Sequence, residues 1–142
     1  MKTKNIAITI CAMMFFLFGC SPSTNESSQS VSDKNQPVTK NQNGQIVTIH
    51  TNEIVQITLD GNPTTGYAWE TNNLDQTLLQ QQGEPIYTQP DSKKLVGAGG
   101  TYLFTFQAIK EGQTTLTLVY HRPWEKDTPP AETFEITVNI LK

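Results

Sequence analysis

Four segments of the chain alternate between apolar and polar residues, and this pattern limits the possible folds more than any other feature of the sequence. The segments are residues 55–59, 102–108, 115–120 and 134–140. Alternation over four to eight residues is typical of half-buried β-strands. Shorter stretches at 45–50, 67–71, 78–82 and 85–89 are weaker strand candidates, and turn sequences lie between them. We therefore predict an all-β fold: an immunoglobulin-like antiparallel β-sandwich of seven or eight strands, with Trp69 packed between its sheets.

The first nineteen residues have the pattern of an export signal. Lys2 and Lys4 precede an apolar run over residues 6–18, which Thr9 alone interrupts. That run is about 13 residues long, short of the roughly 20 that a membrane-spanning helix needs. It ends at residues 17–20 in Leu-Phe-Gly-Cys, which resembles the bacterial lipobox. We predict a lipoprotein signal peptide over residues 1–19 and a lipid on Cys20, which would hold the exported protein at the cell envelope. The alternative is an ordinary signal peptide in which Cys20 is incidental.

Residues 20–43 differ in composition from everything that follows. They are rich in Ser, Asn and Gln, and their only aliphatic residues are Val31 and Val38. Such a segment buries too little apolar surface to offset the entropy lost on ordering. We therefore predict a disordered tether over residues 20–43 and a folded domain over residues 44–142.

The inventory of reactive side chains is nearly empty in the predicted domain. Its only serine is Ser92, it has no cysteine, and its two histidines, His50 and His121, are far apart in the sequence. No Cys or His pair has the spacing of metal ligands. The formal net charge of −3 argues against nucleic-acid binding, which needs an excess of Lys and Arg. We expect no enzyme activity, no cofactor and no metal.

One turn sequence, residues 60–67, is more restricted than a simple connector needs to be. Pro63 has a fixed φ and pushes Asn62 towards an extended conformation. Gly66 can adopt a positive φ, which other residues adopt only with strain. Between them lie Thr64 and Thr65, which are stiff and carry small hydroxyl groups. This loop has the features of a rigid binding element, although a tight hairpin turn would account for it equally well.

A glycine cluster, Gly97-Ala98-Gly99-Gly100, directly precedes a predicted strand. It is not a phosphate-binding loop, because no helix follows it and the Lys-Ser/Thr ending is missing. The glycines indicate either a flexible turn or a place where another backbone comes very close.

A third segment, residues 121–130, carries Arg122, Pro123 and Trp124 among charges and prolines. Trp124 lies outside any alternating pattern, so we expect it to be exposed. Trp and Arg are the residues most enriched at binding hot spots. The alternative is that Trp124 folds back and caps the sandwich.

Taken together and in order, these three motifs resemble the three loops of the chagasin family, whose members are tight, reversible inhibitors of papain-like cysteine proteases. The similarity covers roughly residues 45–142. It implies an immunoglobulin-like sandwich with the three loops side by side at one end. It also implies that the first loop enters the protease cleft near the catalytic cysteine, flanked by the other two. The protease-binding residues implied are Asn62, Pro63, Thr64, Thr65, Gly66, Tyr67, Gly97, Ala98, Gly99, Gly100, Arg122, Pro123 and Trp124.

The resemblance leaves one part of the chain unexplained, because a lipobox and a tether are not part of the family's core pattern. We expect a monomer whose partners are papain-like cysteine proteases and, through Cys20, a membrane. An alternative function from another class is a surface-tethered immunoglobulin-like adhesion or assembly module. Such a module would use Trp124 and the Thr-rich face of the domain to bind a sugar or a protein.

Overall fold

A computed structural model describes residues 36–90 and 97–142 and shows two β-sheets packed face to face. The described residues form nine strands, and two 3₁₀ turns, Lys40–Gln42 and Pro63–Thr65, lie between them. The strands are β1 (Val38–Thr39), β2 (Ile46–His50), β3 (Ile54–Gly61), β4 (Ala68–Asn72), β5 (Leu79–Gln81), β6 (Ile86–Thr88), β7 (Gly100–Ala108), β8 (Gly112–His121) and β9 (Glu132–Leu141).

The strands divide between two sheets, which we call sheet A and sheet B. Sheet A has the order β1-β3-β7, and both β5 and β6 pair with the other edge of β7. Sheet B has the order β2-β9-β8-β4. The prediction of an all-β fold is confirmed. The structure differs from it in having nine strands and two parallel pairs, β1 with β3 and β2 with β9, whereas the other pairs are antiparallel. Alternation reports only which residues face the core, so it carries no information on the direction of the neighbouring strand.

The hydrophobic core lies between the sheets and contains the residues that alternation selected. Phe104, Phe106 and Ile136 are fully enclosed there, and no polar or charged residue is buried among the residues that the structure describes. Trp69 is buried as predicted, and its indole N–H donates a hydrogen bond of 2.9 Å to the main-chain oxygen of Asp60. A core tryptophan with its N–H satisfied stabilises the sandwich without a desolvation penalty.

The folded domain begins earlier than predicted, so the boundary at residue 44 is wrong. Val38 is only 1% exposed, in a strand that pairs with β3. The ammonium of Lys40 pairs with the carboxylate of Glu132, and the side-chain oxygen of Asn43 accepts a hydrogen bond of 2.7 Å from the main-chain N–H of Glu135. A single buried valine and a few polar contacts do not alter the composition of a segment, which is why these residues resembled the tether.

The rest of the predicted tether, the signal peptide and Cys20 fall within residues 1–35, outside the described residues. Within residues 36–90 and 97–142, no helix is long and apolar enough to cross a membrane.

Strand direction brings the three singled-out loops to one end of the sandwich. β3 ends at Gly61, whose partner in the ladder is Gly100, the first residue of β7. β8 ends at His121, opposite the first residue of β4. Residues 62–67, 97–99 and 122–131 therefore all emerge at the same end, which we call the loop end. Because β3 belongs to sheet A and β4 to sheet B, residues 62–67 cross between the sheets and are not a hairpin turn.

Candidate functional site

Loop 1, residues 62–67, is held in shape by its own hydrogen bonds. The side-chain oxygen of Asn62 accepts hydrogen bonds from the main-chain N–H and the hydroxyl of Thr64, at 3.1 and 2.7 Å. The main-chain oxygen of Asn62 accepts a hydrogen bond of 2.6 Å from the hydroxyl of Thr65. Asn62 is extended and Gly66 has a φ of +82°, and both conformations agree with the sequence-based expectation. The loop is thus a capped 3₁₀ turn rather than an extended peptide, and it is ordered before any partner binds.

Loop 2, residues 97–100, lies directly against loop 1. The side-chain amide of Asn62 donates a hydrogen bond of 2.8 Å to the main-chain oxygen of Gly97. Gly99 is similarly close: a Cβ added to it would lie 3.1 Å from the main-chain oxygen of Gly61. Gly97 has a φ of +84°, a conformation that favours glycine. Of the two alternatives for the glycine cluster, close backbone approach is therefore the one realised.

Gly100 differs from the other glycines of loop 2 because it is buried. A Cβ on this residue would lie 2.4 Å from the main-chain oxygen of Thr88 and 2.6 Å from the hydroxyl of Tyr87. The missing side chain is therefore required where β7 begins alongside β6. Packing alone accounts for glycine at this position, and its contact with a protease stays a prediction.

Loop 3, residues 122–131, begins with an arginine whose guanidinium contacts both Tyr67 and Glu125. The guanidinium of Arg122 lies 4.6 Å from the centre of the Tyr67 ring, which is the geometry of a cation–π contact. Its Nη1 donates a hydrogen bond of 2.9 Å to the carboxylate of Glu125. That hydrogen bond raises the pKa of Arg122 further above its usual value. Arg122 therefore ties loop 3 to the residue that ends loop 1.

Trp124 is 65% exposed and does not cap the sandwich. One edge of its indole lies on Gly66: a Cβ added to Gly66 would be 2.5 Å from the indole Cη2. Trp124 and Arg122 thus both contact loop 1, and most of the indole surface faces outwards. An exposed apolar ring on a defined support is a typical anchor for a protein partner.

Behind the loops lies a group of aromatic rings around Tyr120, a residue that the sequence alone did not single out. The ring of Tyr120 lies 5.2 Å from that of Tyr67 and 5.1 Å from that of Trp69, measured between ring centres. Its hydroxyl accepts a hydrogen bond of 2.8 Å from the main-chain N–H of Asn62. Alternation along β8 gave Tyr120 the same face as Leu116 and Leu118, which suggested an ordinary core residue. Only its position two residues before Arg122 hinted at a link to the loops.

The structure brings together every predicted protease-binding residue at the loop end. Pro63, Thr64, Thr65, Trp124 and their exposed neighbours form a projecting surface, whereas most of the other predicted residues are partly buried and support it. Among the described residues, no group of three or more His, Cys, Asp or Glu side chains could hold a metal ion. What this end offers chemically is a surface of small hydroxyls, bare backbone and one aromatic ring, carried on loops that are bonded to one another, which suits recognition of a protein partner.

Comparison with known proteins agrees with this geometry. The profile of the Chagasin family peptidase inhibitor I42 matches residues 48–138. Chagasin of Trypanosoma cruzi is 37% identical over 106 residues, which cover 70% of this chain and 92% of chagasin. The crystal structure of the cysteine protease inhibitor EhICP2 from Entamoeba histolytica superposes with a TM-score of 0.65 at 27% identity, covering 74% of this chain and 94% of that one. The structure of Leishmania mexicana ICP superposes with a TM-score of 0.54 at 35% identity, covering 69% and 89%.

Proposed function

The chain belongs to the chagasin family of peptidase inhibitors, and from that premise we propose that it inhibits papain-like cysteine proteases by filling their active-site cleft with its three loops. Cysteine protease inhibition follows from the family and the solved relatives. The papain-like target, the tight and reversible binding, and the division of labour among the loops are the proposal. It acts as a single copy, since one chain supplies all three loops.

The observation that carries the proposal is the convergence of loops 1, 2 and 3 on one surface. Asn62 joins loop 1 to loop 2, and Trp124 joins loop 3 to loop 1 through Gly66. These contacts make one continuous surface from motifs that are far apart in the sequence. A surface of this kind loses little conformational entropy on docking, which favours tight binding.

Loop 1 has the shape of a wedge that a protease cannot cleave readily. Its tip consists of Pro63, Thr64 and Thr65, all exposed, and is narrow enough for a groove. A protease cleft takes a substrate as an extended chain, whereas this tip is a 3₁₀ turn. The hydrogen bonds of Asn62 oppose the unwinding that an extended conformation would require. The loop therefore fills the cleft without offering a peptide bond in substrate geometry.

Loops 2 and 3 contact the two sides of the cleft. Gly97 and Gly99 are exposed, and those of their main-chain groups that are not already bonded to loop 1 can form hydrogen bonds with the enzyme. Trp124 lies on an apolar wall and loses its remaining exposed surface on binding. Glu125, Lys126 and Asp127 stand beside it at the rim, where charges contribute more to orientation than to affinity.

The alternative of an adhesion module has weaker support. Trp124 is exposed, as that alternative also requires, but the indole lies against loop 1 and forms part of the same surface. The matching profile describes peptidase inhibitors, and the Entamoeba structure is that of a cysteine protease inhibitor. Protease inhibition is therefore favoured over adhesion.

For location, we propose export by the signal peptide of residues 1–19 and attachment to the cell-envelope membrane through a lipid on Cys20. The direction of β1 is compatible with this arrangement. β1 runs parallel to β3, and β3 leads into loop 1, so the chain enters β1 from the side away from the loop end. An anchor that joins the domain on that side does not need to cover the loops, which would stay open to a protease.

The test is a titration of the purified protein against papain, followed with a fluorogenic substrate. We expect activity to fall in proportion to the inhibitor added and to reach zero near an equimolar ratio. Dilution of the complex should restore activity, because no covalent bond forms. Full papain activity in a large excess of the protein would overturn the proposed target class.

A further inference from the structure

Tyr120 lies behind the loop surface, outside all three motifs, yet it contacts the residue on which two of the loops depend. Its hydroxyl accepts a hydrogen bond of 2.8 Å from the main-chain N–H of Asn62 and lies 3.4 Å from the main-chain oxygen of the same residue. These two residues are 58 positions apart in the sequence. Asn62 lies in the connection from sheet A to sheet B, and Tyr120 lies in β8 of sheet B. A single hydroxyl therefore ties the start of loop 1 to β8.

Asn62 in turn forms hydrogen bonds within loop 1 and with loop 2. Its side-chain oxygen holds Thr64 and its side-chain amide holds Gly97 in loop 2. Its main-chain oxygen holds Thr65. If Asn62 shifts, the tip of loop 1 and the start of loop 2 shift with it.

The ring of Tyr120 is connected to loop 3 through aromatic and cation–π contacts. It packs against Tyr67, whose ring also contacts the guanidinium of Arg122, 4.6 Å from the ring centre. Tyr120 also packs against Trp69, which is buried and whose indole N–H donates a hydrogen bond to Asp60. The stack Trp69-Tyr120-Tyr67-Arg122 thus runs from the core to the first residue of loop 3.

The surroundings of Tyr120 suit a rigid support. β8 lies between β9 and β4, and the main-chain oxygen of Tyr120 accepts a hydrogen bond of 2.8 Å from Ala131, at the far end of loop 3. Gly61 leaves room for two rings, since a Cβ on it would lie 2.8 Å from the ring of Tyr102 and 3.3 Å from that of Tyr120. Rotation of the Tyr120 ring is therefore restricted on several sides.

We propose that Tyr120 is a positioning residue for inhibition: it sets the relative position of the three loops without touching the protease itself. This inference rests on the proposed function of the loops. The ring and the hydroxyl have separable roles, because the ring supports loop 3 through Tyr67 and the hydroxyl supports loops 1 and 2 through Asn62. Tyr120→Phe removes only the second role and preserves the packing of the core.

The experiment compares Tyr120→Phe with the matched control Tyr102→Phe in the full chain. The ring of Tyr102 packs at a tilt against that of Tyr87 next to the same region, but no hydrogen bond of its hydroxyl is found among the described residues. We expect the inhibition constant for papain to rise about five- to tenfold in Tyr120→Phe, the effect of one lost hydrogen bond, and to stay within twofold in the control. Melting temperatures of both variants should stay close to that of the wild type.

A second readout separates positioning from general stability. Amide hydrogen exchange followed by NMR should show faster exchange at Asn62 in Tyr120→Phe, and the resonances of Gly97 should shift although Gly97 does not touch Tyr120. A purely structural role would lower the melting temperature and leave the inhibition constant of the folded protein unchanged. The proposal is overturned if inhibition and Asn62 exchange both match the wild type, or if the control loses as much affinity.

Failure of the proposed function would give a different result. In that case the wild-type protein would leave papain active, whichever tyrosine is present. The exchange rate of Asn62 and the shift of Gly97 would then decide by themselves whether Tyr120 positions the loops.

Discussion

The indole of Trp124 occupies the space that a side chain on Gly66 would fill, with its Cη2 2.5 Å from the position of the missing Cβ. Glycine at position 66 is therefore required for two reasons: it adopts a φ of +82° at the end of the 3₁₀ turn, and its missing side chain leaves room for the tryptophan of another loop. The contact explains how a ring that is 65% exposed keeps a defined orientation. It also makes loops 1 and 3 interdependent, which can be tested by mutation.

Replacing Trp124 with alanine should weaken inhibition of papain, mainly through faster dissociation. The change removes an apolar anchor whose loss typically costs on the order of 2 kcal/mol or more of binding free energy. Interface losses of this kind appear mostly in the off-rate, so association should be nearly unchanged. Stopped-flow kinetics checks both rates. Lys126→Ala, in the same loop, is the control and should leave the dissociation rate nearly unchanged.

Gly66→Ala should destabilise the fold by about 1–2 kcal/mol from the left-handed backbone alone, and it should also displace the indole of Trp124. A double-mutant cycle with Trp124→Ala separates the two effects. In the Trp124→Ala background, Gly66→Ala should cost less inhibition, because no indole remains to be displaced. Strictly additive losses in the inhibition constant would show that the two loops act independently.

Thr65→Trp should slow association with papain, because the enlarged tip has to be forced into the cleft. The substitution also removes the hydrogen bond from the Thr65 hydroxyl to Asn62. Thr65→Val removes the same bond at nearly constant volume and is the matched control. If the valine variant associates as slowly as the tryptophan variant, the hydrogen bond matters and the size of the tip does not.

The glycines of loop 2 should separate into binding and packing positions. Gly99→Asp should weaken inhibition with only a small change in melting temperature, since Gly99 is exposed and its added Cβ has a single tight contact, 3.1 Å from the main-chain oxygen of Gly61. Gly100→Ala should instead lower the free energy of unfolding by about 1–3 kcal/mol, because its Cβ would overlap the main-chain oxygen of Thr88. Thermal melts and inhibition constants of both variants show which glycine acts in binding and which in packing. Equal destabilisation at the two sites would assign both glycines to the fold.

Cys20→Ser should release the protein from the membrane fraction and leave inhibition intact, because Cys20 precedes the folded domain. Fractionation of expressing cells, followed by titration of the soluble fraction against papain, measures both properties. A Cys20→Ser protein that stays in the membrane fraction would contradict lipid attachment at this residue.

Features that depend on neighbouring residues could be predicted from the sequence. Alternation identified Phe104, Phe106 and Ile136 as core residues, and each is buried. The extended Asn62 and the positive φ of Gly66 followed from the covalent structure of Pro63 and from the missing side chain of glycine. Alternation and these backbone preferences can be read from adjacent residues, so the sequence alone was enough to indicate them. The order of the three loop motifs added a family resemblance that the matching profile bears out.

Only the tertiary structure decided how those parts are joined. It added β1, whose two residues are too few to show a period, and it made two strand pairs parallel. It showed that Gly100 is required for packing and that Tyr120 hydrogen-bonds to a residue 58 positions away. It also showed that the indole of Trp124 packs on Gly66. Each of these depends on two segments that meet only after the sheets have packed, and local sequence determines the conformation of a segment but not which distant residue it contacts.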